Sequence, residues 1–422
     1  MNGIDYIQVG EADYLFELKN GLKVIFTQTK KSAIVHCGIM VGVGSRSENE
    51  HTNGAAHFIE HCLFKGTAQR KSYQILNRLE SVGGELNAFT SRERTCYYTI
   101  SLKKYLDRSI QLLTDLVFNP VFPKAEIEKE KLVIAEEIEM YEDSPEESIF
   151  DEFNHHSFPG SSLGYNILGS KKNIQKFSRD LLMGFWKQFY TTDNVVISIV
   201  GSVSPNRIST LIQKYLMEIP ATTKENKKSE EVSYNTFEKE IPKKFQQLHC
   251  IIGNKAYSLN DSKKYALTVL NNILGGDWMS SRLNMSVREK HAYAYHISSA
   301  YNAYMDTGTF SVQLGTDEKF LNKSLSLINK EFTLLKSKKL SIIQLNRAKR
   351  QLISQMAMYS ENHSSLMQVK GKNLLDYGRI LSHSEIIENI EKVKSEDVIQ
   401  VANEVLDTST LSTLVYRSKR NR

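Results

Sequence analysis

The sequence predicts an α+β fold of two tandem homologous domains, each a mainly antiparallel sheet flanked by helices. Three observations predict it. The chain has 422 residues, more than one ordinary core organises, so two domains are expected. A Thr-, Lys-, Glu- and Ser-rich stretch, IPATTKENKKSEEVS, reads as a linker. The segments on either side of it repeat one another. The expected division is 1–218, a linker at 219–233, and 234–422.

In the first half, LKVIFTQ, VHCGIMVGV and NVVISIVG are apolar, β-branched runs bounded by turn residues and read as strands. Apolar residues at helical spacing predict helices over 54–64, 71–83, 104–118 and 123–143. The repeat is seen where IVHCGIMVGVGS (34–45) aligns with QLHCIIGNKAYS (247–258). CYYTISLKKYLDRSIQLLTDLV (96–117) aligns with GTFSVQLGTDEKFLNKSLSLI (308–328), and IEMYEDSPEES (138–148) with MAMYSENHSS (356–365). The offset drifts from 213 to 218, and the order is kept.

Net charge is +6, from 54 basic and 48 acidic residues dispersed along the chain, which is not the footprint of a nucleic-acid binder. No window reaches the roughly 18 continuous apolar residues of a membrane span. The start, MNGIDYIQVGEADYLF, lacks the pattern of a signal or transit peptide, so a cytoplasmic protein with no membrane partner is expected. The basic tail RSKRNR reads as a frayed end. Cys37, Cys62, Cys96 and Cys250 form no CxxC pair and are expected to be reduced. Cys62 lies about 100° around a helix from His61, which assigns it to packing.

The chemistry concentrates in GAAHFIEHCLFKGT (54–67). His57 and His61 stand four apart on a predicted helix, so both imidazoles face one way. Two ring nitrogens at that spacing can reach one Zn²⁺ at about 2.0–2.1 Å. Glu60 lies beside them, giving HxxEH, the reverse of HExxH. Capped core histidines are the bland alternative. Catalytic zinc takes three protein ligands and keeps one position open. In PKAEIEKEKLVIAEEIEMYEDSPEE (123–147), Ile127, Ile134, Ile138 and Tyr141 form an apolar stripe. Glu130 and Glu137 fall on or beside it, whereas Glu128, Glu136 and Glu139 point away. A carboxylate aimed at a core costs several kcal/mol unless compensated. Zinc would compensate one directly, and the other could orient a ligand. At the repeat offsets, His57 and His61 correspond to Leu270 and Leu274, Glu130 to Ala348 and Glu137 to Gln355. The second half carries none of the set, so the first half holds the chemistry.

With HFIEHCLFKGT, GGELNAFTSRERTCYY, FPKAEIEKEKLVIAEEIEMYEDSP, YTTDNVVISIVGSV and GGDWMSSRLNMSVREKHAYAYHISS in that order, the chain resembles the inverted zinc-motif peptidases of the pitrilysin, insulysin and mitochondrial processing peptidase family. The resemblance implies a zinc endopeptidase of the half-length type, half of a clam-like dimer that encloses a chamber. It implies Zn²⁺ on His57, His61 and Glu137, with Glu60 as general base and Glu130 in support. Arg288 and Tyr295 match the pair that the family draws from its other half. Asn87, Ala88 and Phe89 match its substrate-binding strand. Where the family has glycine this chain has Ala292, which leaves open the shape of that loop and whether Tyr293 or Tyr295 faces the site. Tyr293 and Tyr295 are expected to alternate as a strand pair would, so that only one of them faces the site. The expected partners are peptide substrates and a second chain, in a homodimer or a heterodimer with a related chain. Two rival readings stand beside this one: an inactive binding or scaffold subunit, and a maturation peptidase dedicated to one precursor peptide.

Overall fold

The structure is a computed structural model that describes residues 4–225, 232–245 and 247–418. Among the described residues twelve strands form two sheets. They are β1 (Ile7–Gln8), β2 (Asp13–Glu17), β3 (Lys23–Gln28), β4 (Ile34–Val41), β5 (Glu85–Thr90), β6 (Thr95–Leu102), β7 (Val195–Gly201), β8 (Glu238–Lys243), β9 (Leu248–Ala256), β10 (Ala294–Ala303), β11 (Gly308–Thr316) and β12 (Ser412–Ser418). The seven-stranded sheet runs β1-β2-β3-β7-β4-β6-β5, and the five-stranded sheet runs β10-β11-β9-β12-β8. Each sheet has one parallel pair, β3 with β7 and β8 with β12, and is otherwise antiparallel. The order β3-β7-β4-β6-β5 therefore recurs as β8-β12-β9-β11-β10. The duplication read from the sequence is present in the topology.

The first helices along the chain are α1 (Ala55–Leu63), α2 (Ser72–Glu80), α3 (Leu106–Phe118), α4 (Lys124–Glu142) and α5 (Pro145–Ser157). The predicted helices lie within a few residues of α1 to α4. Phe16, Val24, Phe26, Ile39, Phe58, Ile59 and Leu113 build the core between the first sheet and its helices.

The two compact units are not continuous in the chain: each takes a segment from the far side of the expected linker. One compact unit holds the residues up to Ile138, those from Tyr165 to the linker, and Met358–Ser382. The other holds Glu139–Gly164, the residues after the linker up to Ala357, and the C-terminal strand with its preceding helices. Each unit thus contains one helix from the other repeat. In the first, helix His363–Tyr377 lies on β4 and β7, where Ser198 Oγ donates to Met367 O at 2.7 Å. Lys370 and Asp13 pair at 2.6 Å, and Arg94 and Asp376 at 2.5 Å, all with largely buried side chains. In the second, α5 lies on β9 and β12, with Ile149 and Phe153 against Ile251, Leu414 and Tyr416. A glycine in the strand admits each helix. A Cβ on Gly38 would lie 2.5 Å from Met367 Sδ, and one on Gly253 would lie 2.8 Å from the Phe153 ring. These glycines pair with Ser198 and Ser412 on the neighbouring strand. Their equivalence, 253 − 38, sets the offset of these strands at 215. The sequence alignment placed it at 213, a two-residue difference that leaves the faces of the strands unchanged.

Residues 226–231 of the expected linker lie outside the described residues. Its ends are packed: Thr192 N donates to Thr222 Oγ1 at 3.0 Å, and Val232 is buried beside Phe158 and Leu163. The tail is not frayed at its start. Arg417 belongs to β12 and pairs with Glu240 at 2.5 Å and Glu318 at 2.9 Å, while 419–422 lie outside the described residues. All four cysteines are free and buried, and burial pushes the Cys37 and Cys250 thiols up to about 12. Among the described residues no helix is long and apolar enough to cross a membrane.

Candidate metal centre

Helix α1 starts at Gly54, whose φ of +98° lies in the left-handed region. A Cβ there would sit 2.9 Å from the Leu168 carbonyl oxygen, so glycine is required on two counts. The buried carboxylate of Glu48 secures this end. It accepts from Ala56 N at 2.8 Å and from Gly54 N and Asn53 Nδ2 at 2.9 Å. These bonds satisfy N–H groups that every helix start leaves open and place a carboxyl at the positive end of the helix dipole. Burial pushes the Glu48 carboxyl up to about 8, against the pull of those three bonds.

His57 and His61 project from one side of α1 with ring centroids 4.7 Å apart. Glu137 on α4 faces both: its carboxylate oxygens lie 3.7 Å from His57 Nε2 and 3.6 Å from His61 Nε2. The wheel reading of α4 holds for its isoleucines but not for Tyr141, which is half-buried and donates to Asp151 Oδ2 at 2.9 Å. Ile127, Ile134 and Ile138 are buried, Glu130 is 3% exposed, and Glu128, Glu136 and Glu139 face solvent. His57, His61 and Glu137 are the one group of three or more His, Cys, Asp or Glu among the described residues able to hold a metal ion, with donor atoms all within 4.8 Å. Cys62 stays in the core. The separations are too long for hydrogen bonds. They are close to the edge of a tetrahedron built on zinc bonds of about 2.1 Å, which is roughly 3.4 Å. Two imidazoles and one carboxylate are also a donor set of catalytic zinc. The residues fit the ion.

The surroundings act on the two imidazoles in opposite directions. Burial, with the neighbouring charge of His61, pushes His57 down to about 3, so its ring is neutral. Burial alone would lower His61 too, but the Glu130 hydrogen bond and the charges of Glu137 and Glu60 outweigh it and leave His61 raised. His61 Nδ1 lies 3.0 Å from Glu130 Oε2, and the other Glu130 oxygen takes Lys65 Nζ at 2.7 Å. Burial would raise Glu130, but these two partners hold it below the usual carboxylate range. The Glu130 bond fixes the His61 tautomer that turns Nε2 to the donors. Burial raises the Glu60 carboxyl, opposed by a hydrogen bond from Thr90 Oγ1 at 2.5 Å.

β5 is the last strand of its sheet and carries Asn87, Ala88 and Phe89. Arg288 and Tyr295 belong to the other unit. Arg288 is exposed on a π-helical turn, Asn284–Glu289. Ala292 has a φ of +51°, so the conformation a glycine would adopt is kept at this site by an alanine. Its N–H bonds Arg288 O, and that of Tyr293 bonds Val287 O. The alternation expected of Tyr293 and Tyr295 does not separate them, because residues two apart on a regular strand share a face. Tyr293 precedes the strand and stacks on Phe320 at 4.8 Å. Tyr295 is the extra residue of a bulge between Ala294 and His296, a feature that re-aims a side chain, and is 57% exposed.

Known proteins match this architecture. The description "Insulinase (Peptidase family M16)" matches residues 23–171, and "Peptidase M16 inactive domain" matches 176–352. The chain belongs to the insulinase-type M16 peptidase family. The inactive-domain match includes helix Lys264–Gly275, which contains no His, Asp or Glu and buries Leu270 and Leu274. An uncharacterized zinc protease of Bacillus subtilis is 33% identical over 92% of this chain and 95% of its own. One of Mycobacterium tuberculosis is 31% identical over 92% and 90%. Two solved structures share the fold: a protease from Helicobacter pylori (TM-score 0.89, 21% identity, 96% and 98% covered) and a peptidase M16 inactive domain from Pseudomonas fluorescens (0.88, 18%, 97% and 98%).

Sequence reasoning missed Glu48, Lys65 and Thr90. Lys65 stands four residues after His61 but in the turn beyond the end of α1, where helical spacing does not mark it. Glu48 and Thr90 reach α1 from a loop and a strand, and no periodicity marks them.

Proposed function

We propose that this M16 member is a zinc-dependent endopeptidase that hydrolyses peptides or unfolded segments. The observation that carries the reading is the convergence of His57, His61 and Glu137 with Glu60 beside them on α1. Zinc bound there supplies Lewis-acid chemistry for attack on a peptide carbonyl. Glu60 takes a proton from the attacking water and returns it to the leaving amine. Glu130 holds His61, and burial keeps His57 neutral and ready to ligate. An extended substrate adds to the free edge of β5 at Asn87, Ala88 and Phe89, a mode that reads backbone more than side chains. Arg288 and Tyr295 from the second repeat stabilise the developing oxyanion. The working form is a dimer, with itself or with a related chain, and the protein is cytoplasmic.

An inactive scaffold would have no need of the full donor set or of a base. The test is zinc content by mass spectrometry together with cleavage of a quenched peptide by the wild type and by Glu60→Gln. The expected result is one zinc per chain, turnover in the wild type, and loss of turnover with zinc retained in E60Q. Zinc bound without wild-type turnover would assign the chain to the scaffold class.

A further inference from the structure

This inference rests on the reading of Glu60 as general base. Glu60 is not steadied by its own helix. Its Oε2 accepts from Thr90 Oγ1 at 2.5 Å, a hydroxyl delivered from the sheet. Thr90 ends β5 and pairs with Thr95, which starts β6. The turn between them is closed by Ser91 N donating to Arg94 O at 2.7 Å and Ser91 Oγ donating to the same oxygen at 2.9 Å. That turn sets the register, and with it the position of the hydroxyl. Side chains alternate along a strand. Thr90 therefore shares a face with Leu86 and Ala88, which pack on the core containing α1, while Asn87 and Phe89 take the opposite face.

The proton inventory determines what the hydroxyl does. Thr90 carries one hydroxyl proton and has two acceptors in reach, Glu60 at 2.5 Å and Thr95 Oγ1 at 3.3 Å. Thr95 is fully buried and donates its own proton to Val43 O at 2.9 Å. Toward Thr90 it therefore presents lone pairs only. Distance and charge both direct the Thr90 proton to the carboxylate. An ionised carboxylate cannot donate, so the bond has one direction. With Oε2 engaged, Oε1 is the oxygen left to take a proton from water.

The geometry points to Thr90 as a positioning residue that fixes the orientation of the general base, with Thr95 holding the Thr90 hydroxyl in its donating sense. The residue that orients the base thus sits at the end of the strand proposed to receive the substrate. Docking at the β5 edge and aiming the base share one rigid element.

The test uses the full-length zinc-loaded protein, a quenched peptide, and the variants Thr90→Val, Thr90→Ser and Glu60→Gln. Thr90→Val keeps shape and strand preference but removes the donor. It is expected to lower kcat about 10- to 100-fold, the scale of one bond to a charged group, with KM and zinc Kd within about twofold of wild type. T90S, which restores the hydroxyl, is expected to recover kcat to within about threefold. Zinc Kd by chelator competition and thermal unfolding give readouts apart from turnover. An inactive E60Q beside a T90V with wild-type kcat overturns the positioning role and leaves the peptidase reading intact. A T90V loss that T90S does not recover, or that comes with weaker zinc or a lower Tm, assigns Thr90 to the fold and also overturns it. A fully active E60Q, or a wild type that holds zinc without cleaving, overturns the peptidase reading itself.

Discussion

Replacing Glu130 with glutamine isolates the contribution of the residue behind the ligands. Glu130 makes two bonds at once, to His61 Nδ1 at 3.0 Å and to Lys65 Nζ at 2.7 Å, and is 3% exposed. Glutamine keeps the volume but has one carbonyl oxygen. It can accept from the imidazole or from the ammonium, and its NH₂ group then faces the other donor. One charge-assisted bond is lost, about 1.5–3 kcal/mol by general experience. Residues that orient zinc-binding histidines lower affinity about 10- to 100-fold when changed, about 1.4–2.7 kcal/mol. The two estimates agree, so the zinc Kd of E130Q is expected to rise about 10- to 100-fold. The assay is competition with a zinc-sensitive chelator at pH 7.5, with thermal unfolding of the metal-free protein as control. Adding Lys65→Met removes the competing ammonium and frees the carbonyl for His61, so the double variant should regain part of the loss. An E130Q that binds zinc within twofold of wild type would refute the idea that this residue fixes the ring.

Four further outcomes are expected. Zinc competes with protons for its ligands. His57 is pushed down to about 3 and is already neutral, whereas His61 is raised, so a single proton opposes the metal between pH 7 and pH 5. Log Kd should climb by no more than one unit for each pH unit of acidification, and a slope of two would show both rings titrating. Protonated His61 stabilises the metal-free fold below its unfolded pKa of about 6.5, a contribution lost as pH rises through the higher folded value. The stabilisation by zinc, read as a shift in Tm, should therefore grow from pH 6 to pH 8. Ala292→Gly, at an exposed left-handed position, should raise stability by about 1 kcal/mol in urea unfolding; a neutral or negative effect would mean the alanine is held there without strain. A chain cut at residue 225 lacks helix His363–Tyr377, which leaves Ser198, Asp13 and Arg94 without the partners described above. It should aggregate or unfold non-cooperatively, and a soluble fragment with a sharp unfolding transition would contradict this.

Much of the site was legible because a metal site built on two helices has periodic signals. The four-residue spacing of His57 and His61 and the apolar stripe that draws Glu130 and Glu137 inward depend on one helix each. The bulge at Tyr295 was not legible. A strand reading assumes strict alternation, and nothing in AYAYH marks where the partner strand falls one residue short. The exchanged helices were illegible for a related reason. Their sequences are amphipathic, but an apolar face does not name the sheet that will cover it.

The sequence by itself determined the chemistry and the architecture of the repeat: which residue types could hold zinc, which half carries them, and that a sheet with flanking helices occurs twice. These follow from local periodicity and from comparison of the chain with itself. Only the tertiary structure decided that helix His363–Tyr377 completes the first sheet and α5 the second, that Glu48 anchors α1, and that Thr90 reaches Glu60. Each of these joins residues far apart in the chain or on different elements. Such contacts are selected by the close packing of the folded core and by the need to pair every buried polar group, conditions that exist only once the elements are assembled.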